Sequence, residues 1–257
     1  MGTKAIDPRS IRNVTIIGDP DETSRLVHRV YRRCGTAGSG SSATVRWSTD
    51  RGAHTIRITA LPLHAPLAAL ERSIRLADSL IAVAHAAIPS ARLETALGVA
   101  DDHQVARLCL VTALDRPTAD FPRCVRTLAD IRGATPVAVQ VPLGTGSDFA
   151  GVLDLITTWD VAPLAAEIHG IGWETAEAWY RTLAKAVLPL SPGTPLRTIP
   201  LDQLHHRIRT LTRIGDIVPV LCSTAPTADD IPPLLDAITR YLPSPMDVCQ
   251  PEHALDY

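Results

Sequence analysis

Short apolar runs of strand length recur along this chain with helix-period segments between them, and that alternation restricts the fold more than any other feature. Asn13 to Gly18 (NVTIIG), Ala43 to Trp47 (ATVRW), Thr55 to Ala60 (TIRITA), Leu80 to Ala84 (LIAVA), Arg107 to Val111 (RLCLV), Pro136 to Val141 (PVAVQV) and Ile217 to Leu221 (IVPVL) read as strands. Helical patterns lie between most of them, at roughly 22–34, 65–77, 91–104, 118–132 and 231–241. Strand and helix in alternation imply an α/β fold, a mainly parallel sheet with helices on both faces.

Two stretches break the rhythm. Gly35 to Ser42, GTAGSGSS, has the composition of a flexible linker. From about Trp159 to Gly215 the pattern is helical and punctuated by proline, with helices expected at 174–188 and 201–211. This predicts a small helical insert, residues 159–215, in an α/β domain made of 1–158 and 216–248, with 249–257 as a C-terminal tail. A chain of 257 residues that is 46% apolar and 20% charged, with a net charge of -2, fits one large domain carrying such an insert.

That charge balance gives no nucleic-acid signature. No apolar run approaches the length of a membrane helix, and MGTKAIDPRSIRN lacks the apolar core of a signal peptide. The five cysteines are an odd number without a C-x-x-C pair, which fits reduced thiols. A cytoplasmic location and no membrane partner are therefore expected. His205 and His206 are adjacent on an expected helix, hence on different faces, and no metal site is expected there.

The turn after the first strand, Gly18-Asp19-Pro20-Asp21-Glu22-Thr23-Ser24, has its own logic. Asp19 at N-cap, Pro20 at N1, Asp21 at N2 and Glu22 at N3 form a capping-box arrangement, so the three carboxylates are expected to cap the first helix and face the positive end of its dipole.

The same residues carry a family resemblance. From about Ile11 to Val248 the chain resembles the GTPase domain of translation elongation factor G, a P-loop-NTPase-like fold. "IRNVTII" is similar to that family's first strand, "ALPLHAPLAALERSIRLADSLIAVAHA" to its second switch and following helix, and "LVTALDRPTADF" to its guanine-reading strand end. "ATPVAVQVPLGTGSDFAGVLDLI" resembles the entry to its helical insert, and "IVPVLCSTA" with "IPPLLDAITRYLPSPMDV" its last strand and helix.

Each place where that family handles nucleotide is altered here. The phosphate loop G-x-x-x-x-G-K-[ST] has lost its late glycine and one residue of length; Thr23 stands about where the lysine belongs, and Ser24 is either a magnesium-ligand remnant or a plain helix-start hydroxyl. D-x-x-G-H has become Ala60-Leu61-Pro62-Leu63-His64, with His64 as a remnant of the water-positioning residue or a surface residue. N-K-x-D survives as Thr112-Ala113-Leu114-Asp115, so Asp115 is either a guanine reader or a turn cap, and Ser223, Thr224 and Ala225 partly keep the loop that contacts the guanine carbonyl. The first switch is reduced to GTAGSGSS, too short to carry Thr36 onto magnesium.

The resemblance therefore implies a pseudo-GTPase: a binding or regulatory module linked to translation, truncated after the G domain, with no cofactor expected. The alternative is a divergent GTP-binding protein that holds GTP or GDP with magnesium weakly through Ser24, Asp115 and the 223–225 loop, with Arg25 in place of the lysine. By the same resemblance the insert is the expected contact with the ribosome or its stalk protein. Trp173, Trp179, Tyr180 and Arg181 are either an anchor patch for that contact or the packing of the insert's own core.

Overall fold

A computed structural model describes residues 7–131, 133, 135–160, 171–190, 195–223 and 229–248. The apolar runs become β1 (Ile11–Gly18), β3 (Ser42–Thr49), β4 (Gly52–Pro62), β5 (Leu80–His85), β6 (Arg107–Thr112), β7 (Thr135–Ala138) and β10 (Ile217–Cys222). With β2 (Gly35–Ser39) they build an eight-stranded sheet in the order β2-β3-β4-β1-β5-β6-β10-β7. From β4 to β7 every neighbouring pair is parallel, while β2-β3 and β3-β4 are antiparallel hairpins.

Residues of β5, β6 and β10 are almost continuously buried rather than alternating, so both faces of the sheet centre are covered, as a parallel sheet with crossover helices requires. The covering helices are α1 (Pro20–Cys34), α2 (Leu67–Arg75), α3 (Ala91–Asp102), α4 (Phe121–Asp130), α5 (Leu155–Asp160), α6 (Ile171–Val187), α7 (Leu201–Arg213) and α8 (Ile231–Tyr241). In α1 the buried residues Thr23, Leu26, Val27 and Val30 recur at helical spacing and form one stripe against the sheet. Arg32 and Arg33 in its last turn complement the negative end of the dipole.

Two sequence expectations change, and one open alternative is resolved. The stretch expected as a flexible linker is the edge strand β2, paired with β3 from Gly35↔Val45 to Ser39↔Ser42. Its glycine at 35 serves space rather than freedom: a Cβ there would come within 2.4 Å of the Tyr31 ring. Thr36 is tied into this hairpin, its hydroxyl donating to the Thr44 carbonyl at 3.1 Å.

The expected single strand at 136–141 is broken at Val139. Its first part, β7, stays in the main sheet, and its second part, β8 (Gln140–Leu143), pairs antiparallel with β9 (Gly151–Asp154). The break is fixed by Gln140, whose buried side-chain oxygen accepts the Cys222 N–H at 3.1 Å.

The aromatic residues read as either an anchor patch or the insert's own core are largely interior. Tyr180 is fully buried and stacks on Trp159 at 4.0 Å between centroids, Trp173 stacks on the same indole at 5.2 Å, and Trp179 meets Phe121 edge-on at 5.4 Å. Only Arg181 is exposed, in an ion pair with Glu177 one turn away at 2.9 Å. Of the two readings left open, packing is the one the structure adopts. Helix α6 lies against β7, and α7 packs on β10 and α8.

His205 of α7 is buried. Arg240 donates to its Nε2 at 3.0 Å, which leaves the proton on Nδ1, and Nδ1–H donates to the Tyr241 hydroxyl at 2.9 Å. Burial and the neighbouring Arg240 cation push its pKa down to about 4. His206 is exposed. Among the described residues no helix is long and apolar enough to cross a membrane and no cluster of metal-ligating side chains occurs; Cys34, Cys109, Cys124 and Cys222 are free thiols.

Candidate functional site

The C-terminal ends of β1, β5 and β6 meet the start of α1, the place where ligands bind in open parallel sheets. Only Asp19 separates the end of β1 at Gly18 from the start of α1 at Pro20. Gly18 passes so close to β5 that a Cβ would stand 2.9 Å from that of Val83. The junction is closed, with no room for a wide loop.

The exposed N–H groups of the first helical turn are taken up locally. Oδ1 of Asp19 accepts the N–H of Asp21 at 2.9 Å and of Glu22 at 3.3 Å. The Asp19 carbonyl accepts both the N–H of Thr23 at 2.9 Å and its hydroxyl at 3.0 Å. Thr23, at the position expected for the family's lysine, is buried with its side chain turned back on the turn. Ser24 is exposed on the next position. Asp19 therefore caps α1 as expected.

Glu22 does not complete a capping box. Its carboxylate points into the site, where Oε2 accepts the Thr112 hydroxyl at 2.8 Å and Oε1 lies 3.9 Å from Nε2 of His85. Nδ1 of His85 accepts the Ala87 N–H at 3.1 Å, so in the neutral ring the proton sits on Nε2 and faces Glu22. The half-buried carboxylate finds the Thr112 hydroxyl as donor with the His85 ring nearby, on β6 and β5. Asp21 stays exposed, and its carbonyl accepts Nε of Arg25 at 3.0 Å.

This Glu22-His85 pair stands between two cavities and lines both. One, of about 660 Å³, runs toward α3 and α4 past His64, Leu97 and Cys124. The other, of about 640 Å³, runs toward the 112–115 turn past Arg25, Asp115 and Ser223. His64 is exposed at the rim of the first, after β4 residues Ala60 to Pro62, which pair with Ile16 to Gly18 of β1. Asp115 half-lines the second behind Ala113, which has a left-handed backbone with φ of +57°. Burial raises the Cys124 thiol pKa above its ordinary value.

At the far end of the second cavity, the Ser223 hydroxyl donates to Asp230, which also pairs with Arg29 of α1. One turn on, Arg33 pairs with Asp229 at 2.8 Å, and that hydrogen bond holds the Asp229 carboxyl below its usual range. Ser223 and Asp115 of the expected base-recognition set thus border one cavity, while Thr23, Ser24 and His64 do not converge with them. Thr224 and Ala225 lie outside the described residues. Sequence reasoning missed His85, Thr112 as a hydroxyl donor, Arg29 and Asp230. His85 alone carried a signal, a polar residue closing an apolar strand.

No family model matches the chain. It is 33% identical over 228 residues to elongation factor G of Ehrlichia ruminantium (strain Welgevonden), 35% over 223 residues to that of Petrotoga mobilis (strain DSM 10674 / SJ95) and 34% over 212 residues to that of Ehrlichia canis (strain Jake). These matches take in 82%, 81% and 76% of this chain but only 33%, 32% and 31% of the relatives. A crystal structure from Thermus thermophilus shares the fold at 16% identity, with a TM-score of 0.71 over 93% of this chain and 41% of that one. By sequence and by fold, the chain is over most of its length an elongation factor G-like, translational-GTPase-type α/β domain.

Proposed function

We propose that this domain is a pseudo-GTPase that works by binding a partner of the translation apparatus rather than by turning over nucleotide. The observation that carries the reading is the one-residue junction at Asp19, where the free N–H groups of the first helical turn, those of Asp21 and Glu22, are already bonded to the Asp19 carboxylate. The Glu22 carboxylate adds negative charge to the space beside them, in contact with Thr112 and near His85. No lysine stands in the turn, and no Asp takes the place of the one in D-x-x-G-H. These residues do not fit a magnesium-bound triphosphate. Charge-assisted contacts are worth about 1.5 to 3 kcal/mol each, so losing several moves a tight site to about millimolar or weaker.

Calorimetric titration of the purified chain with GTP, GDP and ATP in magnesium is the test. Affinities no tighter than about millimolar are expected; a micromolar Kd for any of them sinks the proposal. The cavity bordered by Asp115 and Ser223 favours the second reading, weak nucleotide binding from the base end, and a guanosine titration in the same series addresses it.

The partner we propose is the ribosome or its stalk protein, met by the outer faces of α6 and α7, which carry Glu174, Arg181, Lys185 and His206. Deleting these helices would uncover β7 and β10, so the contact is better tested by surface change. In a pull-down with ribosomes, Arg181→Glu combined with Lys185→Glu should reduce recovery several-fold. Equal recovery of the variant and the parent chain would remove α6 from the proposal.

A further inference from the structure

At the opposite end of the sheet from the site above lies a polar pocket of about 460 Å³, within the size range of small-ligand sites. It is walled by the start of β1, the β3-β4 turn, α7 and α8. Four arginines line it: Arg12, Arg51, Arg209 and Arg240. His54 joins them, and the carboxylates that face it are Asp50 and Asp236. Asp236 is already occupied, accepting the Trp47 indole N–H at 2.7 Å.

The arginine at its base is 2% exposed. Nη1 of Arg12 donates to the carbonyls of Arg9 and Ile11, and Nη2 to that of Thr239, but Nε has no partner. Nδ1 of His54 is likewise buried and unpartnered. Arg209 donates to the Thr239 and Arg240 carbonyls at the C-terminal end of α8 and pairs with Asp247 at 3.6 Å. Arg51 on the turn is 3.7 Å from Asp202. Burial, with Arg209 beside it, lowers the Arg12 pKa to about 10. Guanidiniums held together with a buried N–H to spare are costly unless an anion joins them.

We propose that this pocket binds a small oxyanion of the phosphate class, with the exposed Arg51 as its principal donor and the buried charge of Arg12 beneath it. Guanidinium forks match the oxygens of phosphate in a way that a single ammonium does not. The ligand is inorganic phosphate, pyrophosphate or the phosphoryl group of a small metabolite, and all three present the same chemistry to the arginines.

Isothermal titration at constant ionic strength, with phosphate, pyrophosphate and glycerol 3-phosphate as probes and chloride as the balancing anion, tests the proposal. One saturable site is expected, accompanied by a rise in Tm with probe concentration. Arg51→Glu, on an exposed turn, should weaken binding at least about tenfold, the loss of one charge-assisted contact. Arg126→Glu, on the exposed face of α4, should leave it unchanged. A tighter fit for glycerol 3-phosphate would identify a phosphorylated metabolite, and equal or weaker affinity the free anion; both support the site. Absence of saturation by all three probes up to about 10 mM, in the weak range of ordinary affinities, overturns it. So does the same affinity in Arg51→Glu and the parent chain.

Discussion

Asp19 takes up backbone N–H groups at the start of α1 with one side chain. A helix N-terminus is a ready anion site only while its N–H groups are free, and here a single carboxylate oxygen holds two of them. Asp19→Ala should cost about 1 kcal/mol of stability, whereas Asp19→Asn, an equally good cap, should stay within a few tenths. Urea denaturation with an unchanged slope measures the difference. Equal losses in the two variants would mean that the cap is not what stabilises this turn. Asp19 as cap was legible in the sequence because capping is local. The fate of Glu22 was not, because its partners Thr112 and His85 lie on other strands.

At the level of elements, α1 is joined to the end of β10 and the start of α8. Asp230 is shared between Ser223 and Arg29 and ties the three together. Asp230 is buried, and Arg29 is about a third exposed. Asp230→Ala should therefore cost about 1.5 to 3 kcal/mol through lost charge-assisted hydrogen bonds. Arg29→Ala should cost less, since its carboxylate partner keeps Ser223. Chemical denaturation of both variants checks the order, and a reversed order would show that Arg29 carries the link. The alternating apolar runs located these elements correctly, since periodicity records burial. The edge strand β2 escaped because its pairing with β3 is a long-range choice that small residues permit but do not announce.

For the molecule as a whole, α7 and α8 are joined through the chain His205, Tyr241 and Arg240. His205 has a folded pKa near 4, below the ordinary histidine value of 6.5. The unfolded chain therefore binds more protons between those values, so its contribution to stability is full above pH 6.5 and is lost as pH falls toward 4. Tm measured from about pH 7 to about pH 5 should fall for the parent chain, and His205→Gln, which keeps a hydrogen-bonding side chain, should flatten that fall. Identical profiles would assign the acid sensitivity to other groups. By itself the sequence determined the parallel α/β scaffold, the capped first helix and the likeness to elongation factor G, because each is written in local spacing and in contiguous motifs. Only the tertiary structure decided that Glu22 faces His85, that the aromatic residues of α6 are core, and that four arginines gather at the far end of the sheet. Those facts depend on side chains brought together from distant strands and helices, and no local pattern encodes where they meet.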